Sequence, residues 1–576
     1  MSNYQVEYER WLSCAALTDS ERKELISIKS DEESKALRFT SPMNFGTAGL
    51  RSTMYMGIGC MNRFTVAQTT RGIAALVNSL GGAQRGVAIA HDSRNNSREF
   101  AKTAACVLAA AGIKVYIFDS LRPTPELSFA VKELRVLAGI NITASHNPKE
   151  YNGYKAYWED GAQIGPEQAT VISEESAKFD VLDTSGIADY ESAVREGRIV
   201  ELGEEFDEKY IDAVMKTAIS PSVIREMADS LKVVYTPLHG AGMRLVPEVF
   251  RRAGIKHLYT VDAQMTPDGN FPTVKKPNPE YRDVFKLGID IANEVGSDLV
   301  IATDPDSDRV GVMARCKNGE FNTVTGNQMG VLLLDYAARE RRAQGTLPQN
   351  AYCVKSLVSS DMAYKVASTQ GIKLYDVLTG FKYIGEVIKN YELRGEEDGF
   401  ILGFEESYGY LLGSYARDKD AVEASLIILE MTAYYAKQGM TLIDALENLY
   451  NTYGRYREGM IDIYMEGLDG IEKRKRVMSR LRETPPKSLG GYGVTSVRDY
   501  KSGIIRDATT NAEKPTGLPS SDVLYYVLEN DDKIVVRPSG TEPKIKIYLL
   551  AHGESDEALN EKLSAYEKDA RAAAGV

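Results

Sequence analysis

Between residues 86 and 402, short apolar runs alternate with stretches whose apolar residues recur three and four apart, so strands and helices take turns along the chain. The first unit predicts a strand at 86–90, a helix capped by Ser97 and running through Ala111, and a second strand at 113–118. Asp92 and Arg94 fall just past the carboxyl end of the first strand. A further strand at 136–143 delivers Thr143-Ala144-Ser145-His146-Asn147-Pro148 into a loop. The alternation restarts near residue 205, with strands at 231–235, 258–261 and 298–302, and again near 325, with strands around 352–354, 372–375 and 400–402. Three such units predict a repeated α/β domain, in which ligands bind beyond the carboxyl ends of the strands.

The two ends of the chain read differently. Before residue 40, charge alternates with Leu and Ile at helical spacing, and Ser20-Glu21 and Ser30-Asp31-Glu32 resemble helix starts, giving an amphipathic lead-in. The stretch 485–520, rich in Gly, Pro, Ser and Thr, predicts a boundary loop. Closely spaced strands at 523–527, 533–536 and 544–548, then a polar helix over about 555–573, predict an α+β cap. At 576 residues the chain exceeds what one core sustains, so three or four domains are expected.

Composition narrows the function classes. With 69 Lys+Arg against 81 Asp+Glu, the net charge of −12 argues against nucleic acid and anionic membranes as partners, and any bound anion must meet a local basic pocket. Cys14, Cys60, Cys106, Cys316 and Cys353 are scattered and never spaced as C-x-x-C, which predicts a reducing cytoplasm, without a disulfide framework or zinc site. The start of the sequence is polar and acidic, unlike a secretory signal, and no run approaches the roughly 18 apolar residues of a membrane span.

The loops after the strands carry the candidate chemistry. Asp304, Asp306 and Asp308 place three carboxylates within one short loop, a density of hard oxygen ligands suited to Mg²⁺, or equally a solvated acidic turn. An EF-hand is excluded, because Arg309 and Arg315 stand where its glycine and bidentate glutamate belong. Ser145 taken alone has the make-up of an ordinary turn; it lacks a G-x-S-x-G elbow, and His146, its sequence neighbour, is badly placed as its base, so of the catalytic readings a phosphoserine contributing an oxygen to the metal fits better than a hydrolase. Lys155 is a candidate acid or base near the transferring group, or a solvated lysine. Arg537-Pro538-Ser539-Gly540-Thr541 has the parts of a phosphate cradle, and also those of a turn between strands. Glu405-Glu406-Ser407 suits sugar hydroxyls. In Arg417-Asp418-Lys419-Asp420, Asp420 and Glu423 predict a capping box for a helix over 421–437, leaving Arg417 and Lys419 to meet an anion. Gly57-Ile58-Gly59 lacks the third glycine of a dinucleotide fingerprint and precedes no clear helical pattern, and no Walker loop occurs.

Thr-Ala-Ser-His-Asn-Pro, Asp-Pro-Asp-Ser-Asp-Arg, Gly-Phe-Glu-Glu-Ser-Tyr-Gly and Arg-Pro-Ser-Gly-Thr-Glu-Pro occur here in that order. With them the chain resembles the α-D-phosphohexomutases from about residue 40 to 550, and within that superfamily the bacterial phosphoglucomutase branch that includes phosphopentomutase-like members. The resemblance implies four domains around a central cleft, three of repeated α/β fold with mixed sheets and a C-terminal α+β cap. Their expected spans are 1–203 (phosphoserine), 204–322 (metal), 323–455 (sugar) and 456–576 (phosphate). It implies a phosphoserine at Ser145 that binds Mg²⁺ together with Asp304, Asp306 and Asp308. His146 would orient Ser145, and Lys155 and Arg51 would lie near the reacting groups. Thr379, Glu405 and Ser407 would meet sugar hydroxyls, Arg309, Arg417 and Lys419 would line the cleft, and Arg537, Ser539, Gly540 and Thr541 would hold the non-reacting phosphate.

The implied activity is an isomerase by phosphoryl transfer, interconverting glucose 1-phosphate and glucose 6-phosphate through glucose 1,6-bisphosphate. Its expected partner is a small sugar phosphate, and the enzyme a monomer or small homo-oligomer. The alternatives are a phosphopentomutase or phosphomannomutase with the same residues, and a non-catalytic sugar-phosphate-binding protein, which would be expected to have lost Ser145 or an aspartate. The sequence departs from the superfamily pattern at Pro305, Ser307 and Ser52, where glycine is frequent.

Overall fold

The computed structural model describes residues 3–43, 45–46, 49–465, 470–540 and 544–576. The chain forms two compact units: Met1–Thr323 with Ile388–Glu397 and Gly409–Gly439, and Val324–Val387 with Asp398–Tyr408 and Met440–Val576. The first unit opens with three helices, Asn3–Leu12, Asp19–Ser27 and Glu32–Phe39. Thr18 and Glu21 close a capping box on the second and Asp31 caps the third, so the sequence signals locate these starts to within a residue or two. Trp11, fully buried, packs edge-on against Phe39 and Phe64 and fastens the helices to the body of the unit.

Two sheets follow in this unit. The first has the order Leu50–Thr53, Tyr151–Trp158, Ala138–Ile142, Val87–His91, Val115–Phe118, Ile199–Leu202. Its last four strands are parallel, while Tyr151–Trp158 is antiparallel to both of its neighbours. Val87–His91 and Ala138–Ile142 are buried along their whole length, which is why they read as continuous apolar runs. The second sheet places Leu299–Thr303 between parallel Lys232–Thr236 and antiparallel Val310–Arg315. In the other unit, Tyr352–Ser356 runs parallel to both Lys373–Val377 and Phe400–Glu405. An antiparallel sheet follows in the order Arg455–Tyr464, Lys544–Gly553, Lys533–Pro538, Leu524–Leu528, Tyr492–Asp499, Ile504–Asp507, Glu513–Pro515. The helix Asp556–Ala574 buries Leu559, Tyr566 and Ala570 in the same core as the strand residues Ile534, Val536, Ile545 and Ile547. Mixed α/β units with a terminal α+β element are thus the observed fold class. No described helix is long and apolar enough to cross a membrane.

Four local expectations are corrected. The stretch 485–520 is no boundary loop: it contains Ser488–Leu489, Tyr492–Asp499, Ile504–Asp507 and Glu513–Pro515, and its Gly and Ser residues turn the chain between short strands. Ser97 is the first residue of Ser97–Ala110 and does not cap it; left-handed Asn96 precedes the helix, and Ser97 Oγ donates to Asp92 Oδ1 at 2.7 Å. Soon after Gly59 comes the long helix Arg63–Ser79, whose signal was the capping box of Asn62 with Thr65. Asp420 does cap Ala421–Lys437, but its own N–H donates to Tyr410 O and the Glu423 carboxylate accepts from Leu412 N, so no capping box closes.

Candidate active site

The strand Ala138–Ile142 ends in a loop that turns the chain back into the antiparallel Tyr151–Trp158. Ser145 sits in that loop at φ +52°, a left-handed backbone that costs a serine roughly 1 kcal/mol. Gly153 lets the returning strand approach the loop, since a Cβ there would stand 2.5 Å from the Thr143 carbonyl oxygen. Ser145 Oγ donates to Asp304 Oδ2 at 2.6 Å and lies 3.1 Å from His146 Nδ1. Asn147 Oδ1 accepts from Arg51 Nη1 at 3.2 Å. Ser52, beside it, is an ordinary strand residue whose Oγ donates to Gly59 O, so the absence of glycine there strains nothing.

The aspartates occupy the tight turn between the buried strand Leu299–Thr303 and Val310–Arg315. Asp304 Oδ1 accepts the N–H groups of Asp308 (3.1 Å) and Arg309 (3.0 Å), which folds the turn around its own carboxylate. Ser307 takes φ +52°, which gives the superfamily's glycine at this place a physical reason; here a serine carries that conformation. Gly240 allows the neighbouring loop against the turn, because a Cβ on it would come within 2.4 Å of Pro305 Cα. One ligand atom from each of Asp304, Asp306 and Asp308 lies within 4.8 Å of the others, all three residues being buried.

Two lysines balance this charge. Lys155 Nζ contacts Asp306 Oδ2 (2.8 Å) and Asp308 Oδ2 (3.1 Å), and Lys419 Nζ contacts Asp308 Oδ2 (2.8 Å) and Asp418 Oδ1 (3.2 Å). Arg309 pairs with Glu280 at 2.6 Å, its Nε 3.8 Å from Asp308 Oδ1. Burial, then the charges of Asp306 and Asp308, push the Asp304 carboxyl well above the usual carboxylate range. Burial would raise Asp308 too, but Lys155, Lys419 and Arg309 outweigh it and hold that carboxyl low. Burial lowers and these aspartates raise Lys155, with a net rise that keeps it a cation. His146 is pushed well below its ordinary value by burial, then by Arg309 and Arg51, and is neutral near pH 7.

The donor set suits a hard divalent cation. Asp306 Oδ1 and Asp308 Oδ1 are buried and accept no hydrogen bond, so these two aspartates each keep one oxygen for a ligand, whereas both oxygens of Asp304 accept hydrogen bonds.

Arg417 already has internal partners, and only its Nε is buried without a hydrogen bond. Its side chain is fully buried, paired with Glu392 at 2.7 Å and donating to the carbonyls of Ser414 and Ala416. Sequence spacing exposes a charge but not the carbonyls that consume it. Conversely, Thr124, unremarked in the sequence, donates from Oγ1 to Asp306 Oδ2 and from its N–H to Asp306 O, both at 2.8 Å. No local motif marks it.

In the other unit, Thr379 follows Lys373–Val377 in a short turn, and Glu405 ends the parallel strand Phe400–Glu405, its Oε1 accepting Gly380 N at 2.8 Å. Ser407 lies in the next turn and is half-buried. Arg537, in Lys533–Pro538, donates to Tyr548 Oη at 3.1 and 3.3 Å; burial lowers it, while Tyr548, Glu406 and Glu405 raise it to a net upward shift. Ser539 N–H donates to Lys544 O, and Gly540 is exposed. Thr541 lies outside the described residues.

Comparison with known proteins adds an independent line. Models of phosphoglucomutase/phosphomannomutase α/β/α domains I, II and III match residues 42–181, 208–319 and 325–453. A phosphoglucomutase from Staphylococcus saprophyticus is 35% identical over 549 residues, 95% of this chain and 97% of its own. One from Staphylococcus aureus strain N315 is 36% identical over 546 residues, 94% and 95% of the two chains. Among solved structures, Paramecium parafusin, a phosphoglucomutase in an open form, superposes with a TM-score of 0.66 at 18% identity, covering 92% of this chain and 95% of that one. A phosphoglucomutase/phosphomannomutase family protein from Burkholderia thailandensis gives 0.64 at 19% identity, covering 92% and 97%.

Proposed function

The chain belongs to the phosphoglucomutase/phosphomannomutase family of the α-D-phosphohexomutase superfamily, and from that premise we propose that it interconverts α-D-glucose 1-phosphate and glucose 6-phosphate through a phosphoserine at Ser145. The observation that carries the reading is the 2.6 Å contact between Ser145 Oγ and Asp304 Oδ2 beside the Asp306 and Asp308 oxygens that accept no hydrogen bond.

In the forward direction, the bond from phosphorus to Ser145 Oγ breaks as one forms to O6 of glucose 1-phosphate, and the O6 hydroxyl proton ends on Ser145 Oγ. The resulting glucose 1,6-bisphosphate turns over, its phosphoryl group on O1 passes to Ser145 Oγ as the serine proton goes to O1, and glucose 6-phosphate leaves. Asp304, Asp306 and Asp308 would hold Mg²⁺, which when bound neutralises charge on the transferring phosphoryl group. Lys155, protonated and buried, supplies a second positive charge beside it. Neutral His146 orients the serine, with Arg51 holding Asn147 next to it. We assign Arg309 and Lys419 to the reacting end of the substrate, Thr379, Glu405 and Ser407 to sugar hydroxyls, and Arg537, Ser539, Gly540 and Thr541 to the non-reacting phosphate. With them go the domain spans 1–203, 204–322, 323–455 and 456–576 and a cytoplasmic location, to which the free cysteines are suited.

Turnover of glucose 1-phosphate, mannose 1-phosphate and ribose 1-phosphate, assayed side by side with Mg²⁺ and catalytic glucose 1,6-bisphosphate, tests the assignment. Glucose 1-phosphate is expected to be fastest; equal or faster turnover of ribose 1-phosphate overturns the choice of sugar.

A further inference from the structure

Arg94 follows the strand Val87–His91, its side chain wholly buried together with that of Asp92. A buried guanidinium normally faces a carboxylate pair; this one mostly faces main chain. Its Nη2 donates to the carbonyls of Ser145 and Asn147, and its Nη1 to those of Pro148 (2.9 Å) and Tyr151 (3.1 Å). Three carbonyl groups of the Ser145 loop and that of Tyr151, which opens the returning strand, therefore converge on one planar fork. Asp92 anchors the fork from behind, Oδ2 lying 3.2 Å from Arg94 Nε and Oδ1 accepting Arg94 N–H at 2.9 Å. The same carboxylate accepts Thr143 Oγ1 at 2.7 Å, and Thr143 Oγ1 in turn accepts the Ser145 N–H at 2.8 Å. The Phe271 ring, its centroid 5.1 Å from the guanidinium carbon, covers the Arg94 side chain from another part of the chain.

We propose that Arg94, held by Asp92, is the positioning residue that sets the left-handed backbone of Ser145 and thereby the place of its Oγ relative to Asp304. The inference rests on the phosphoserine reading above. In that reaction Ser145 Oγ gives up a phosphoryl group in one half and accepts one in the other, so the oxygen must hold the same position before and after transfer. The loop's own backbone hydrogen bonds, Asn147 N–H to Ala144 O and Tyr151 N–H to Pro148 O, bracket a conformation strained for serine; the converging carbonyls, fixed from one point, hold it. An ammonium is charged but has three donors without the planar fork, so lysine cannot reproduce the arrangement.

Arg94→Lys keeps the charge and removes the fork. It is expected to lower kcat by about 100-fold while KM for glucose 1-phosphate stays within about threefold, because the oxygen is misplaced and no substrate contact is lost. Phosphoryl uptake from glucose 1,6-bisphosphate onto Ser145, followed by intact mass, should slow by the same factor. Thr143→Val, which breaks one arm of the network, should cost about tenfold in kcat, and it decides the matter if Arg94→Lys shows no cooperative melt. A folded variant with kcat within about threefold of wild type, or a KM that rises in step with the loss of kcat, overturns the proposal. Wild-type protein that turns over no sugar phosphate sinks the functional reading instead. Amide exchange over residues 143–151 then decides for Arg94: it should quicken in Arg94→Lys, and unchanged exchange overturns the positioning role.

Discussion

Ser145 Oγ and Asp304 Oδ2 are 2.6 Å apart across 159 positions of sequence, so a loop of one sheet and a turn of the next share one hydrogen bond. That bond joins the proposed phosphate carrier to the proposed metal site. Around this hydroxyl stand a buried carboxylate partner, a neutral imidazole and cations, the surroundings that the phosphate-carrier proposal requires.

Ser145→Ala should abolish both the covalent phosphate and turnover. A fall in kcat of at least about 10⁴-fold is expected, with loss of one phosphoryl mass from protein pre-treated with glucose 1,6-bisphosphate. Retained activity in this variant would remove the phosphoserine from the mechanism.

Thr124 touches Asp306 through both its hydroxyl and its N–H, and Asn141 donates to the same hydroxyl at 2.6 Å. Thr124→Val should therefore weaken Mg²⁺ activation by about 10-fold or more, since partners of metal ligands fix their orientation. Titration of activity with Mg²⁺ and calorimetry of Mg²⁺ binding read the effect together; an unchanged Mg²⁺ dependence would show that Asp306 needs no such support.

Glu126 predicts a pH dependence of stability. It is fully buried, neither oxygen accepts a hydrogen bond, and burial pushes its pKa up to about 8 despite Arg122. The folded chain thus keeps a proton that the unfolded chain releases near its ordinary value of 4.5, and stability falls as pH rises between the two. The slope is about 1 kcal/mol per pH unit. Glu126→Gln should match wild type in Tm near pH 5 and exceed it at pH 8; parallel Tm curves for the two proteins across that range would show that the carboxyl is already ionised in the fold.

Arg417→Met separates a structural arginine from a substrate-binding one. Removing a buried cation from Glu392 and two carbonyls should destabilise the protein by about 3 kcal/mol, with KM changed by less than about twofold. A large rise in KM at unchanged Tm would return Arg417 to the substrate.

Much of the fold was legible because its strands are buried on both faces. Such strands read as unbroken apolar runs, as at Val87–His91 and Leu299–Thr303. The antiparallel strands Tyr492–Asp499 and Ile504–Asp507 are largely half-exposed, so their mixed composition passed for a loop. The three aspartates, Ser145 and Lys155 were legible as short-range motifs, and they meet. Arg417 belonged to a motif as well, but its partners are two carbonyls and the distant Glu392, which no local pattern displays.

The sequence by itself determined which groups this protein can bring to a reaction: a hydroxyl and three carboxylates in loops after strands, and several cations, some of them inside strands. Tertiary structure alone decided which of them work together. It aimed Ser145 at Asp304, left Asp306 and Asp308 each with one oxygen that accepts no hydrogen bond, withdrew Arg417 into the interior, and set Arg94 behind the serine loop. The physical reason is that a side chain's chemistry is local, whereas its direction, burial and partners are fixed by backbone groups from distant parts of the chain.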